Sequence, residues 1–275
     1  MTGGQERSDR GTGTGGRERS DRGTGTGDDE LAARLVTEAG ELLLGVRAEL
    51  ADATAAERKD AGDKRAHAFL MQALAAERPD DAVLSEEATA EEKANSTRLS
   101  ADRVWIVDPL DGTREFSELG REDWAVHVAL WQSGELVAGA VALPAQGVTL
   151  ATPDVAAPPP APDTPRIVVS RTRPPAVALA VRDALGGVLV EMGSAGAKVA
   201  SVVQGLADAY VHAGGQYEWD SAAPVAVARA AGLFTSRLDG SPLLYNQADV
   251  LLPDLIVCRP ELADAVLAVT RSPST

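Results

Sequence analysis

The sequence predicts an α+β fold of alternating sheet and helix layers. Three observations carry this. Buried-type strands follow long amphipathic helices in the first half, strand and helix patterns alternate over the second half, and a proline-rich stretch at 153–165 separates the two. No run of about 18 apolar residues occurs, which excludes a membrane-spanning helix.

Each element has a local reason. Residues 3–14 and 15–26 are two copies of one twelve-residue polar segment with a single mismatch. They carry no large apolar side chain to offset ordering entropy, so residues 1–27 are expected to be a disordered tail. Asp28 and Asp29 suit a helix start, and Leu31, Leu35, Ala39, Leu42, Leu43 and Val46 follow helical spacing. A second helix is expected from Gly62 to Arg78, stopped by Pro79-Asp80-Asp81, and a short strand at 82–84 leads into Ser85-Glu86-Glu87. Residues 89–101 read as a loop or short exposed helix. Val104–Val107 is a buried strand ending at Asp108, and strands at 124–132 and 135–143 meet in a Ser133-Gly134 hairpin turn.

The second half places strands at 167–169, 188–190, 209–211 and 254–258, with helices at 174–185, 195–207, 220–231 and 261–271. The expected organisation is a tail (1–27), an N-terminal α+β part (28–152), a proline-rich connection (153–163) and a C-terminal α/β part (164–271).

Composition narrows the function. Of 275 residues, 41 are acidic and 26 basic, a net charge of -15. Such a surface argues against nucleic acid and anionic membranes as partners. An anionic substrate then needs a local reversal of the field, which bound metal ions supply. The single cysteine, Cys258, forms no internal disulfide, and the N-terminus is hydrophilic; the expected location is the cytoplasm.

The chemistry concentrates in Asp108-Pro109-Leu110-Asp111-Gly112-Thr113. A buried strand delivers the first carboxylate to a sheet edge, where α/β active sites gather. Pro109 fixes one torsion, so both carboxylates and a backbone carbonyl can face one point. Hard oxygens of this kind suit Mg²⁺ or Mn²⁺. Gly112 admits close backbone approach, so that amides here can hold phosphate oxygens, and Thr113 can orient a water. Glu86 and Asp220 are further acidic candidates; taken singly, Asp220 also suits a helix N-cap and Glu86-Glu87 a solvated loop.

Ser-Glu-Glu at 85–87, the run from Trp105 to Thr113 and Trp-Asp-Ser-Ala-Ala at 219–223 resemble the three signatures of the inositol monophosphatase superfamily, in the same order. The resemblance spans about 29–270 and implies a layered α/β/α/β/α sandwich and a Mg²⁺-dependent, lithium-sensitive phosphatase with two or three ions. It further implies that Glu86, Asp108 and the Leu110 carbonyl hold one ion, and Asp108, Asp111 and Asp220 a second. Asp63, working with Thr113, would position or deprotonate the attacking water, although Ala61-Gly62 stand where many relatives have threonines. Many relatives are dimers, so a homodimer is an expectation too.

Arg114-Glu115-Phe116, Ser170-Arg171-Thr172 and Gly193–Lys198 are similar to the 3′(2′),5′-bisphosphate nucleotidase branch, above all its actinobacterial members. This implies hydrolysis of 3′-phosphoadenosine 5′-phosphate, a by-product of sulfate assimilation. Ser194, the Gly196 amide and Lys198 would cradle a second phosphate at a helix N-terminus; Arg171 would touch that phosphate or the nucleoside. His212 falls near where inositol-specific relatives carry a carboxylate, so it is assigned to the substrate pocket with Gly112, Thr113 and Asp220. His127 is read as structural. Tyr217 and Tyr245 are the aromatics placed to approach an adenine. The rival readings are a broad sugar-phosphate phosphatase, acting on fructose 1,6-bisphosphate or inositol phosphates, and a silent phosphate-binding protein on the same fold.

Overall fold

The computed structural model describes residues 27–93 and 96–271, with Met1. The expectation of a disordered tail therefore lies outside the described residues, save for the two ends of that segment. Helices α1 (Asp28–Glu49) and α2 (Ala55–Glu77) open the chain. The first turn of α1 holds Asp28, Asp29 and Glu30, and its buried face carries Leu31, Leu35, Ala39, Leu43 and Val46. Helix α2 starts seven residues before the expected Gly62. Thr54 and Glu57 form a capping box: the Glu57 amide donates to Thr54 Oγ1 (3.2 Å) and the Thr54 amide to Glu57 Oε2 (2.8 Å).

Strand β1 (Ala82–Ser85), the short helices α3 (Ala90–Lys93) and α4 (Ser96–Leu99), β2 (Arg103–Asp111) and α5 (Thr113–Ser117) follow. Strands β3 (Ala125–Gln132), β4 (Glu135–Leu143) and β5 (Val148–Ala151) complete a five-stranded sheet in sequence order, parallel only between β1 and β2. Ser133 and Gly134 both have positive φ (50° and 102°), the hairpin turn that the sequence indicates. The second sheet, ordered β7-β6-β8-β10-β9, comes from β6 (Arg166–Ser170), β7 (Val188–Met192), β8 (Ala209–Tyr217), β9 (Phe234–Ser236) and β10 (Leu251–Cys258). Between these lie α6 (Ala176–Leu185), α7 (Ala195–Val203) and α8 (Glu218–Ala230), with α9 (Ala263–Thr270) last. Strands β5 and β9 were not anticipated. Both are short and at a sheet edge, and their pairing is decided by a neighbouring strand more than by their own pattern.

Three apolar clusters define five layers. The α1–α2 layer packs on one face of the first sheet. Helices α7 and α8 fill the space between the sheets, and α6 and α9 cover the far face of the second. This is the expected α/β/α/β/α sandwich. The segment after β5 has no regular structure until β6, yet Val155 packs on the middle cluster.

Residue size sets the spacing of these layers. A Cβ on Gly139 of β4 would lie 2.6 Å from Ala226 Cβ and 3.3 Å from the Ala223 carbonyl oxygen of α8. Gly139→Val is therefore expected to destabilise the protein by about 1–3 kcal/mol through overpacking, read as a lower denaturant midpoint at unchanged slope. An unchanged midpoint would contradict this packing.

Candidate active site

The site begins with a defect in the ladder between β2 and β3. Asp108 pairs with His127 but Asp111 pairs with Ala125, so β2 spends three steps where β3 spends two. The extra residue matters because side chains alternate along a strand, and positions three apart would otherwise face opposite sides. The bulge returns Asp111 to the face of Asp108. Pro109, which has no N–H to give to a ladder, sits within it. The Leu110 amide then donates to Asp108 Oδ1 (3.1 Å), and Thr113 Oγ1 donates to the Leu110 carbonyl (3.2 Å). Gly112 has φ +83°, and a Cβ there would lie 2.9 Å from Ser194 Cβ.

The N-terminus of α8 brings the third carboxylate. One oxygen from each of Asp108, Asp111 and Asp220 falls within 4.8 Å of the others. Asp108 and Asp111 are buried and Asp220 is partly buried. Glu86, just past β1, lies beside Asp108, close enough for a hydrogen bond when one of the two is protonated. The electrostatics express this crowding. Burial first, then Glu86, Asp111 and Asp220, raises Asp108 well above the carboxylate range. Burial and then Asp111 push Asp220 up to about 7, and burial raises Glu86. Asp63 on α2 is pushed up to about 7 by burial and by Glu87 and Glu86. Gly62 before it is flush against the core: a Cβ would lie 2.8 Å from Phe116 and 2.9 Å from Leu110. That contact explains why no larger residue precedes Asp63.

The start of α7 takes a different place from the one the sequence suggested. Asp111 accepts the Ser194 hydroxyl, the Ala195 amide (3.1 Å) and the Gly196 amide (2.6 Å). Ser194 has φ +48°, unusual for a residue with a Cβ. Lys198 is buried; its ammonium donates to the carbonyls of Gly193 (3.2 Å) and Ser194 and lies 5.4 Å from the Tyr210 ring centroid. The helix N-terminus is thus an anion site whose anion is the protein's own Asp111. Ser194 and Gly196, expected at a phosphate, are engaged by that carboxylate. Arg171, expected at substrate, is ion-paired with Glu115 (2.8 Å) and Glu118 (2.9 Å). Tyr245 is buried with its hydroxyl 3.2 Å from Ser221 Oγ, whereas Tyr217 is exposed.

His212 lies on β8 beside these groups. Burial and Lys198 hold it down to about 4, and its Nε2 is buried without a hydrogen-bond partner. His127 is a participant that sequence reasoning missed. It is fully buried, with Nδ1 3.1 Å from the Trp219 carbonyl oxygen and Nε2 3.3 Å from Asp111 Oδ2, though not in hydrogen-bond geometry. A Cβ on Gly196 would collide with its ring. The available signal was its strand position opposite Asp108.

Buried carboxylates with this mutual repulsion call for a compensating cation, and an all-oxygen donor set suits a hard divalent one. A layered α/β/α/β/α sandwich carrying such a cluster between its sheets defines the class of acidic-cluster phosphatases that work with metal ions. A profile of the inositol monophosphatase family matches residues 28–155 and 167–273, and the chain belongs to that family. The 3′-phosphoadenosine 5′-phosphate phosphatase of Mycobacterium tuberculosis is 54% identical over 239 residues, covering 84% of this chain and 88% of the relative. The 3′(2′),5′-bisphosphate nucleotidase CysQ of Escherichia coli is 32% identical over 203 residues, covering 70% of this chain and 81% of the relative. Among solved structures, inositol monophosphatase II of Staphylococcus aureus superposes with a TM-score of 0.72 at 20% identity, covering 88% of this chain and 96% of that one; this likeness concerns the fold.

Asp63 and Asp220 bind a proton more tightly when folded, near 7, than at their ordinary value of 3.8. Their contribution to stability is complete below the ordinary value and is lost as pH rises through about 7. The Tm of chelator-treated protein should therefore fall between about pH 4 and pH 7 and level off above it, with Mg²⁺ restoring it at the upper end; a flat profile would contradict the shifts. Ser194→Ala, which removes a hydrogen bond to Asp111, should weaken divalent-cation affinity about 10-fold or more by calorimetry. Unchanged affinity would return Ser194 to the substrate.

Proposed function

We propose that the chain is a Mg²⁺-dependent phosphoric monoester hydrolase that removes the 3′-phosphate of 3′-phosphoadenosine 5′-phosphate, yielding adenosine 5′-monophosphate and phosphate. The observation that carries this is the buried Asp108–Asp111–Asp220 cluster, in a chain 54% identical to a phosphatase named for that substrate. Asp108, Asp111, Asp220, Glu86 and the Leu110 carbonyl would hold two or three ions. Bound there, Mg²⁺ would neutralise the anionic ester and lower the pKa of a water.

The chain's own groups supply the rest. Asp63 would position the attacking water or accept its proton; burial, Glu87 and Glu86 raise its proton affinity in the ion-free protein. Thr113 directs its own proton to the Leu110 carbonyl, which leaves its lone pairs to accept a hydrogen bond from that water. The water oxygen bonds to phosphorus as the bond to the 3′ oxygen breaks, and the departing oxygen takes up a proton. For the 5′-phosphate we assign the third N–H of Lys198, with His212 beside it as a neutral wall of the pocket. Ser194 and Gly196 support this site through Asp111.

Phosphate release from 3′-phosphoadenosine 5′-phosphate, fructose 1,6-bisphosphate and inositol 1-phosphate, with Mg²⁺ and then EDTA, tests the proposal. A preference for the nucleotide that EDTA abolishes is expected. Equal rates on all three would overturn the substrate, and release in EDTA would overturn the chemistry. Asp220→Asn should remove turnover while circular dichroism and the unfolding transition persist; full activity would remove Asp220 from the ion site.

A further inference from the structure

We propose that the open face of Tyr217 is the platform on which the purine base of the leaving nucleotide stacks, an inference that rests on the substrate reading above. Tyr217 ends β8 and immediately precedes α8. Its amide donates to Asp220 Oδ2 at 2.6 Å, which fixes the residue at the lip of the carboxylate cluster. The ring lies on Trp219, centroids 4.8 Å apart and planes within 15°. Trp219 is buried and occupies one face of Tyr217, yet Tyr217 remains 44% exposed. The open surface is therefore the other face and the ring edge.

The pair borders the opposite source of ion ligands as well. Lys93 holds its ammonium 4.8 Å from the Trp219 ring centroid and donates to the Glu86 carbonyl. The apolar surface continues past Tyr217. Leu251, its register partner on β10, is 43% exposed, and Leu244, just before the Asn246 and Gln247 amides that bond Glu218, is 59% exposed.

Ions and phosphate need charge and several converging donors, whereas the open face of Tyr217 and the neighbouring Leu251 are apolar. This surface offers a flat ring with one face already backed by an indole, so little ordering remains when a second aromatic settles on it. A nucleotide whose 3′-phosphate is held at Asp220 carries its base one sugar away on a short tether. A purine presents the large π-face that fits such a ring, while a sugar phosphate has no aromatic group to place there. Tyr217 is thereby a specificity-determining residue, separate from the groups that activate water.

The test uses the full chain with Mg²⁺ and reads inhibition of 3′-phosphoadenosine 5′-phosphate hydrolysis by the two products. Tyr217→Ser should raise the Ki of adenosine 5′-monophosphate about fivefold or more relative to the Ki of inorganic phosphate, the lower end of one base–aromatic stack. Tyr217→Phe keeps the ring and should hold the ratio near that of the unsubstituted protein. An equal change in both constants with Tyr217→Ser, or a Tyr217→Phe ratio that follows Tyr217→Ser, would overturn the platform. Failure of the unsubstituted protein to hydrolyse the nucleotide would overturn the reading beneath it, and is seen before any variant is made.

Discussion

Like charges brought into one buried place are the constraint around which this structure is built. Oxygens of Asp108, Asp111 and Asp220 lie within 4.8 Å of one another, with Glu86 beside Asp108. Lys198, the buried cation that acts on Asp111 and Asp220, directs its donors to backbone carbonyls rather than to either carboxylate. The protein lessens the repulsion by raising proton affinity at Asp108, Asp220 and Glu86. That solution holds at low pH and fails near neutrality, where a divalent cation would do the same work while leaving the carboxylates ionised.

The fold holds these groups together against their repulsion by fixing each from a different layer. The β2 bulge turns Asp111 to the side of Asp108. The opening of α7 grips Asp111 with a hydroxyl and two amides, and Lys198 ties down the carbonyls behind them. Helix α8 carries Asp220 between the two sheets and is anchored by Glu218, which accepts the amides of Asn246 and Gln247. Arg98 reaches the same stretch from the segment after Glu86, bonding Asn246 and the Gln247 carbonyl (3.0 Å). Both segments that supply the proposed ion ligands therefore lean on residues 246–247, far from them in sequence.

The layer order was legible because the apolar periods of α1, the β2 core and the alternating second half are local signals. The Asp108–Thr113 run was legible because its carboxylates lie three residues apart. How those two come to share a face was not, since the bulge appears only in the pairing with β3. Ser194 and Gly196 show a different limit. A serine before a glycine at a helix start marks an anion site, but sequence does not say whether that anion is a ligand or the protein's own Asp111. His127 was hidden because its partner, the Trp219 carbonyl, lies 92 residues away. The early start of α2 is encoded in the capping box Thr54-Ala-Ala-Glu57, which lies ahead of the helix's apolar face.

The central claim is that these carboxylates form one cation site whose protons and ions compete. Titration of the chelator-treated protein with Mg²⁺ by calorimetry, repeated in buffers of different ionisation enthalpy, measures that competition directly. The account expects binding to release protons near pH 6.5, with release shrinking as pH rises past about 8 and the carboxylates ionise unaided. Binding without proton release at the lower pH, or no binding at all, would contradict it.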